Sequence, residues 1–136
     1  MPARLFTPAE ANSALPDVKP LVERMVAVRA RLRELEGEQR AHVTTIAGNG
    51  SGYAASDLGT AHDEFASLVS ELEECISGLD AIGLEVKDAD VGLVDFPAHH
   101  EGRDVLLCWR LGEESVAYWH GRDDGFAGRK PIDWDE

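Results

Sequence analysis

Between Asp95 and Arg129 the chain carries the side chains best suited to chemistry: Asp95, Cys108, Arg110, Glu113, His120 and Arg129. Carboxylate, thiol and imidazole are the donor types of a borderline metal site, and a bound ion with a nearby acid or base supports hydrolysis. On that alternative Asp95 and His120 hold the ion, His99, His100 or Cys108 adds a ligand, and Glu113 serves as acid or base. The set has no diagnostic spacing, and His99 and His100 are adjacent residues whose side chains diverge. A nucleophilic Cys108 would need His120 beside it and a lowered pKa, yet Leu107 and Trp109 flank it with apolar surface. The sequence therefore assigns no catalytic residue, metal or cofactor.

A binding role uses the same region better. Trp109, Tyr118, Trp119 and Phe126 can form an aromatic wall, and Arg110 and Arg129 can pair with an anion. The expected ligand-binding set is Asp95, Arg110, Glu113, Trp119, His120, Phe126 and Arg129, facing a small anionic ligand or a protein partner. A purely structural role for the same groups pairs Asp95 with Arg110 or Arg129 and lets His120 bond a backbone carbonyl. A buried polar group left unpaired costs about 1–3 kcal/mol, so each inward-facing member must find a partner. In the segment Gly125-Phe126-Ala127-Gly128-Arg129, the Phe126 ring supplies burial and Arg129, paired with Asp95 or Glu113, pins the tail to the sheet.

These residues sit on short β-branched and aromatic runs at 92–96, 104–109 and 115–119, which predict a three-stranded antiparallel meander. The run 105–109 is apolar on both faces and suits the middle strand. With Gly112-Glu113 as a two-residue turn, Trp109 pairs with Val116, Leu107 with Tyr118 and Val105 with His120. Cys108 and Trp119 then share the opposite face, and a slip of one residue exchanges the faces.

Upstream, the periodicity is helical. Thr7-Pro8-Ala9-Glu10 is a helix start with a capping box, and Pro16 and Pro20 predict a short first helix and a bend before the next. Apolar residues then recur at Val18, Leu21, Met25, Val28, Leu32 and Leu35, and again at Phe65, Leu68, Leu72, Cys75, Leu79 and Ile82. Both series step by three and four, so the segments 7–42 and 57–83 predict a coiled-coil-like antiparallel hairpin. Its flanking charges match, with Arg31 expected beside Glu64 or Glu71. The stretch 43–57 holds glycines at 48, 50 and 52 and predicts a loop; Gly48-Asn49-Gly50-Ser51-Gly52 lacks the Lys and Ser/Thr of a phosphate-cradling turn. Val22, Val26, Val69 and Ile76 add apolar surface beside the seams, which predicts a homodimer.

Composition bounds the rest. The 136 residues suit a single domain, 1–136, in class α+β: the helical hairpin over 7–83, then the meander and C-terminal loop over 84–136. Net charge is −13, spread as +1 over 1–42, −9 over 43–90 and −5 over 91–136. So acidic a chain is a poor nucleic-acid binder. No apolar run is long enough to span a membrane, and no signal-peptide pattern opens the sequence, so a cytoplasmic protein is expected. Cys75 and Cys108 lie in no ligand-spaced pattern.

Four separated strings carry a resemblance to a known family: Gly92-Leu93-Val94-Asp95-Phe96-Pro97-Ala98, Leu107-Cys108-Trp109-Arg110-Leu111-Gly112-Glu113, Tyr118-Trp119-His120, and Gly125-Phe126-Ala127-Gly128-Arg129-Lys130-Pro131-Ile132. With the opening Phe6-Thr7-Pro8-Ala9-Glu10-Ala11-Asn12, they resemble the bacterial family called domain of unknown function 2203. The resemblance implies a shared fold and a site in these strings. It implies no mechanism, since the family has no established activity.

Overall fold

The computed structural model describes the backbone of residues 4–49 and 55–134, and the side chains of 4–38 and 62–134. Helix α1 spans Pro8–Asn49 and α2 spans Ala55–Ile82; strands β1 (Glu85–Asp88), β2 (Leu93–His100), β3 (Arg103–Arg110), β4 (Tyr118–Gly121) and β5 (Lys130–Pro131) follow, with a 3₁₀ turn at Phe126–Gly128. The fold is α+β, two helices and one antiparallel sheet in the order β1-β2-β3-β4-β5. The expected three-stranded meander is its centre, and the two edge strands are additions. β1 is four residues of which three are charged, and β5 is two residues ending in a proline, so neither carries a strong strand signal.

The start of α1 follows its sequence signature. The Thr7 amide donates to Glu10 Oε1 at 2.9 Å, and the Glu10 amide donates to Thr7 Oγ1 at 3.1 Å, the reciprocal bonds of a capping box. The expected break near Pro16 does not occur, because α1 runs unbroken through Pro16 and Pro20. Both prolines stand on the exposed face, where water can serve the carbonyls they leave without donors. The opposite face buries Ala11, Leu15, Val18, Val22 and Met25, and that burial keeps the segment helical. The expected 43–57 loop is also shorter: α1 continues to Asn49 and α2 begins at Ala55, so only 50–54, including Gly50-Ser51-Gly52, lie outside the described residues.

The helices run antiparallel, since Arg24 meets Glu71 at 2.6 Å and Arg31 meets Glu64 at 2.8 Å as the numbers rise along α1 and fall along α2. These pairs are half exposed and fix register more than they stabilise. Together α1 and α2 cover one face of the sheet. Strand alternation puts Val94, Phe96, Ala98, Val105, Leu107, Trp109 and Trp119 on that face, packed with Val18, Val22, Met25, Cys75 and Leu79.

Register in the central hairpins differs from expectation by one residue. Leu106 pairs with His120, Leu107 with Trp119 and Cys108 with Tyr118. The connection 111–117 is no two-residue turn: the Asn12 side chain takes both sides of the Val116 backbone, accepting from its amide at 2.8 Å and donating to its carbonyl at 3.2 Å. Trp109 Nε1 donates to the Glu113 carbonyl at 3.1 Å and holds the other end. β2 and β3 meet at Glu101-Gly102, both at positive φ (52° and 77°). Pro97 sits within β2 beyond the reach of β1, which pairs only with Leu93–Asp95; its carbonyl there accepts the Phe6 amide at 2.7 Å, so its missing N–H interrupts no ladder.

Gly92 is where the sheet closes most tightly on α1. At φ +73°, a Cβ there would stand 2.8 Å from both Val22 Cγ1 and Leu111 Cβ. Gly92→Ala combines left-handed strain with overpacking and should lower unfolding free energy by about 2–4 kcal/mol in urea titrations. Gly112→Ala, at φ +107° with nothing within 4 Å, carries the strain alone and should cost less.

Candidate functional site

The sheet face turned away from the helices carries Leu93, Asp95 and Pro97 from β2, Leu106, Cys108 and Arg110 from β3, and Tyr118 and His120 from β4. Alternation makes this placement obligatory once the other face is apolar. Of the expected ligand-binding set, Asp95, Arg110, His120, Phe126, Arg129 and Glu113 gather on or around this outer face. Trp119 does not. The one-residue slip turns it to the helix-facing side, where its ring meets His100 at 5.3 Å and Trp134 at 6.4 Å.

The polar members sort into two groups. In the first, Arg129 Nη2 lies 2.8 Å from each Glu113 oxygen, and its guanidinium stacks on Tyr118 at 4.3 Å and on Phe126 at 4.5 Å. Glu113, not Asp95, is thus the partner of Arg129, and Glu113 Oε1 also accepts the Arg110 amide at 2.7 Å. The pair draws the connection 111–117 and the C-terminal segment together. Glu113 has its oxygens engaged and is no free base.

The second group is Asp95, Cys108 and His120, with relative exposures of 1%, 0% and 4%. Asp95 and Cys108 are direct cross-strand partners, and His120 comes from the next strand. One donor atom from each lies within 4.8 Å of the others. His120 Nδ1 is 2.7 Å from the Gly121 carbonyl, and Nε2 is 3.3 Å from both Asp95 oxygens. Only Oδ1 is aligned for a hydrogen bond, so buried Oδ2 has no partner. The expected partners Arg110 and Arg129 are both elsewhere. Burial is the main reason the Asp95 carboxyl is raised above its ordinary range, against the opposing charge of His120. Burial, reinforced by the Asp95 charge, pushes the Cys108 thiol up to about 12. A protonated, enclosed thiol is inert, which argues against Cys108 as a nucleophile. Above the trio, Arg122 Nη2 reaches Glu85 Oε2 at 3.0 Å, tying the end of β4 to β1 across two strands.

His99 and His100 do not join. Alternation along β2 puts His100 on the helix-facing side, stacked on Trp134 at 4.1 Å, and His99 is exposed beside Asp104. Sequence reasoning missed the Asp95–His120 contact because it depends on register across three strands. It also missed a shallow recess of about 290 Å³ beside the outer face, lined by Asp88, Val91, Leu93, Arg110 and Phe126.

The chain belongs to the family described as "Uncharacterized conserved protein (DUF2203)", whose model matches residues 4–132. No curated protein and no solved structure matches it. Among the described residues no helix is long and apolar enough to cross a membrane.

Two outcomes follow from this geometry. Arg129→Lys keeps the charge but loses the planar stacking between Tyr118 and Phe126, and should lower stability by about 1–2 kcal/mol, a fall in Tm of roughly 4–8 °C by thermal scan. For Cys108, the folded state holds the thiol proton to about 12 against 9.0 for a free thiol. Its stabilising contribution is therefore complete below pH 9.0 and is lost as pH climbs toward 12. Urea titrations of chelator-treated protein should show stability falling over that window more steeply in the native chain than in Cys108→Ala.

Proposed function

We propose that this member of the DUF2203 family is a non-enzymatic, self-associating binding module whose recess at the outer sheet face takes a small organic anion with an apolar body. The observation that carries the reading is Arg110. Arg110 lines the recess with Val91, Leu93 and Phe126, and no described residue forms an ion pair with it. Arg129 is already neutralised by Glu113, which leaves Arg110 as the cation for a carboxylate or phosphate. Phe126 is 42% exposed, and Val91 and Tyr118 are the neighbouring exposed apolar side chains, so an apolar body finds walls on that side. Asp88, on the rim, disfavours ligands with a second negative charge at that end.

The alternative of a metal-dependent hydrolase built on Asp95, His120 and Glu113 has less support. Glu113 is held by Arg129, and Asp95 and His120 are too deeply buried to meet a substrate.

Self-association rests on α2, working with α1 as a coiled-coil-like stem. Val22 and Val26 pack toward the core and are not free for a second copy. Ile76 is exposed and Val69 half-buried, which leaves an apolar strip on α2 for a homodimer.

A thermal-shift series with monocarboxylates from acetate to hexanoate and phenylacetate tests the recess. At least one of the longer or aromatic members should raise Tm, acetate should not, and Arg110→Gln should abolish the rise while leaving the ligand-free Tm within about 1 °C. A series in which no member shifts Tm, or in which Arg110→Gln responds as the native chain does, rejects the recess. Light scattering at micromolar concentration should give twice the chain mass, reduced to one chain mass by Ile76→Asp.

A further inference from the structure

We propose that Asp95, Cys108 and His120 form a binding site for one divalent transition-metal ion of the zinc class, distinct from the recess at Arg110. His120 Nδ1 lies 2.7 Å from the Gly121 carbonyl, and a carbonyl oxygen only accepts, so Nδ1 carries the hydrogen. In the neutral ring Nε2 is then a bare lone pair, 3.3 Å from both oxygens of Asp95. Lone pairs held that way repel unless something positive lies between them, and in a buried setting it is either a proton or a metal ion.

Three further features select the metal. Asp95 Oδ2 is buried without a well-aligned hydrogen bond, and the Cys108 thiol that approaches this carboxylate is only a weak donor. Cys108 brings a third ligand atom from the adjacent strand into the same space, a soft donor whose thiolate would complete a three-residue metal set. The His120 Nδ1–H to carbonyl bond is the outer contact that orients a metal-ligating imidazole and presents Nε2 to the ion.

Size and charge agree. Tetrahedral bonds of about 2.0–2.3 Å put ligand atoms about 3.3–3.6 Å apart. The His120 and Asp95 atoms already stand at 3.3 Å, and the remaining separations, all under 4.8 Å, close with side-chain shifts of about 1 Å. A carboxylate and a thiolate neutralise a divalent cation, so the filled site carries no net charge into a region with almost no water contact. Mixed oxygen, sulfur and nitrogen donors favour zinc, iron(II) or cobalt(II) over magnesium or calcium, which prefer all-oxygen shells. Three protein donors leave one coordination position open. With the donors enclosed, the ion secures strands β2, β3 and β4 to one another and meets no substrate.

The test uses the full chain, purified without an affinity tag, dialysed against chelator and titrated with cobalt(II). One equivalent should produce tetrahedral visible absorption and a thiolate-to-cobalt charge-transfer band, both displaced by zinc, and zinc should raise Tm. Cys75→Ser should behave as the native chain, Cys108→Ser should lose the charge-transfer band, and Asp95→Asn and His120→Ala should each weaken cobalt binding at least tenfold. Circular dichroism reports whether each variant folds; should the Asp95 and His120 variants unfold, the Cys75 and Cys108 pair decides. Folded native chain that shows neither the absorption nor a zinc-dependent Tm overturns the site, as that result leaves a proton between Asp95 and His120. A charge-transfer band surviving in Cys108→Ser, or unchanged binding in a folded Asp95→Asn, also overturns it.

Discussion

The contact on which the rest of the molecule depends is the packing of Val18, Val22 and Met25 of α1 against Phe96, Leu107 and Trp109 of the sheet. It sets parity. Once those sheet residues face the helices, alternation sends Asp95, Cys108, Arg110 and His120 to the other side, with no freedom to redistribute. Gly92 marks how close the two layers come, since even a methyl group there would collide with Val22. The polar residues are therefore positioned by apolar ones that never touch them.

Among the described residues no second layer of helices covers the outer face, yet Pro97, Leu106, Cys108, Asp95 and His120 are all buried. Their cover is made of polar links between distant parts of the chain: Arg122 to Glu85 over the middle of the sheet, and Arg129 to Glu113 over its end. Cover of this kind differs from a hydrophobic lid. It shields through long side chains whose charged ends stay near water, while the groups beneath them are almost fully enclosed.

Much of the helical half was legible in the sequence because its signals are local. The Thr7–Glu10 capping box, the two apolar series and the Arg31–Glu64 match each depend on residues a few positions apart or on one facing helix. Tertiary burial overrode one local signal, the prolines at 16 and 20, since their propensity does not account for what the opposite face of the helix packs against. The central hairpins were legible as strands but not in register, for the connection 111–117 is shaped by Asn12, a residue 104 positions away from Val116. That single slip decided the site: it removed Trp119 from the outer face and set His120 beside Asp95. Arg129 had two candidate partners, and only the folded connection brings Glu113 within reach.

The Asn12 bond to Val116 also bears on how the chain acquires its structure. With the Phe6 amide on the Pro97 carbonyl and the Arg4 guanidinium on the Ile82 carbonyl, it fastens the start of α1 to segments 78 to 104 positions further along the sequence. Contacts of such sequence separation close the largest loops available to the polypeptide, and their closure entropy is met only after the helices and the β2–β3 hairpin exist. By contact order, closing these long loops is the slow part of assembly compared with the zippering of either helix or of the β2–β3 hairpin.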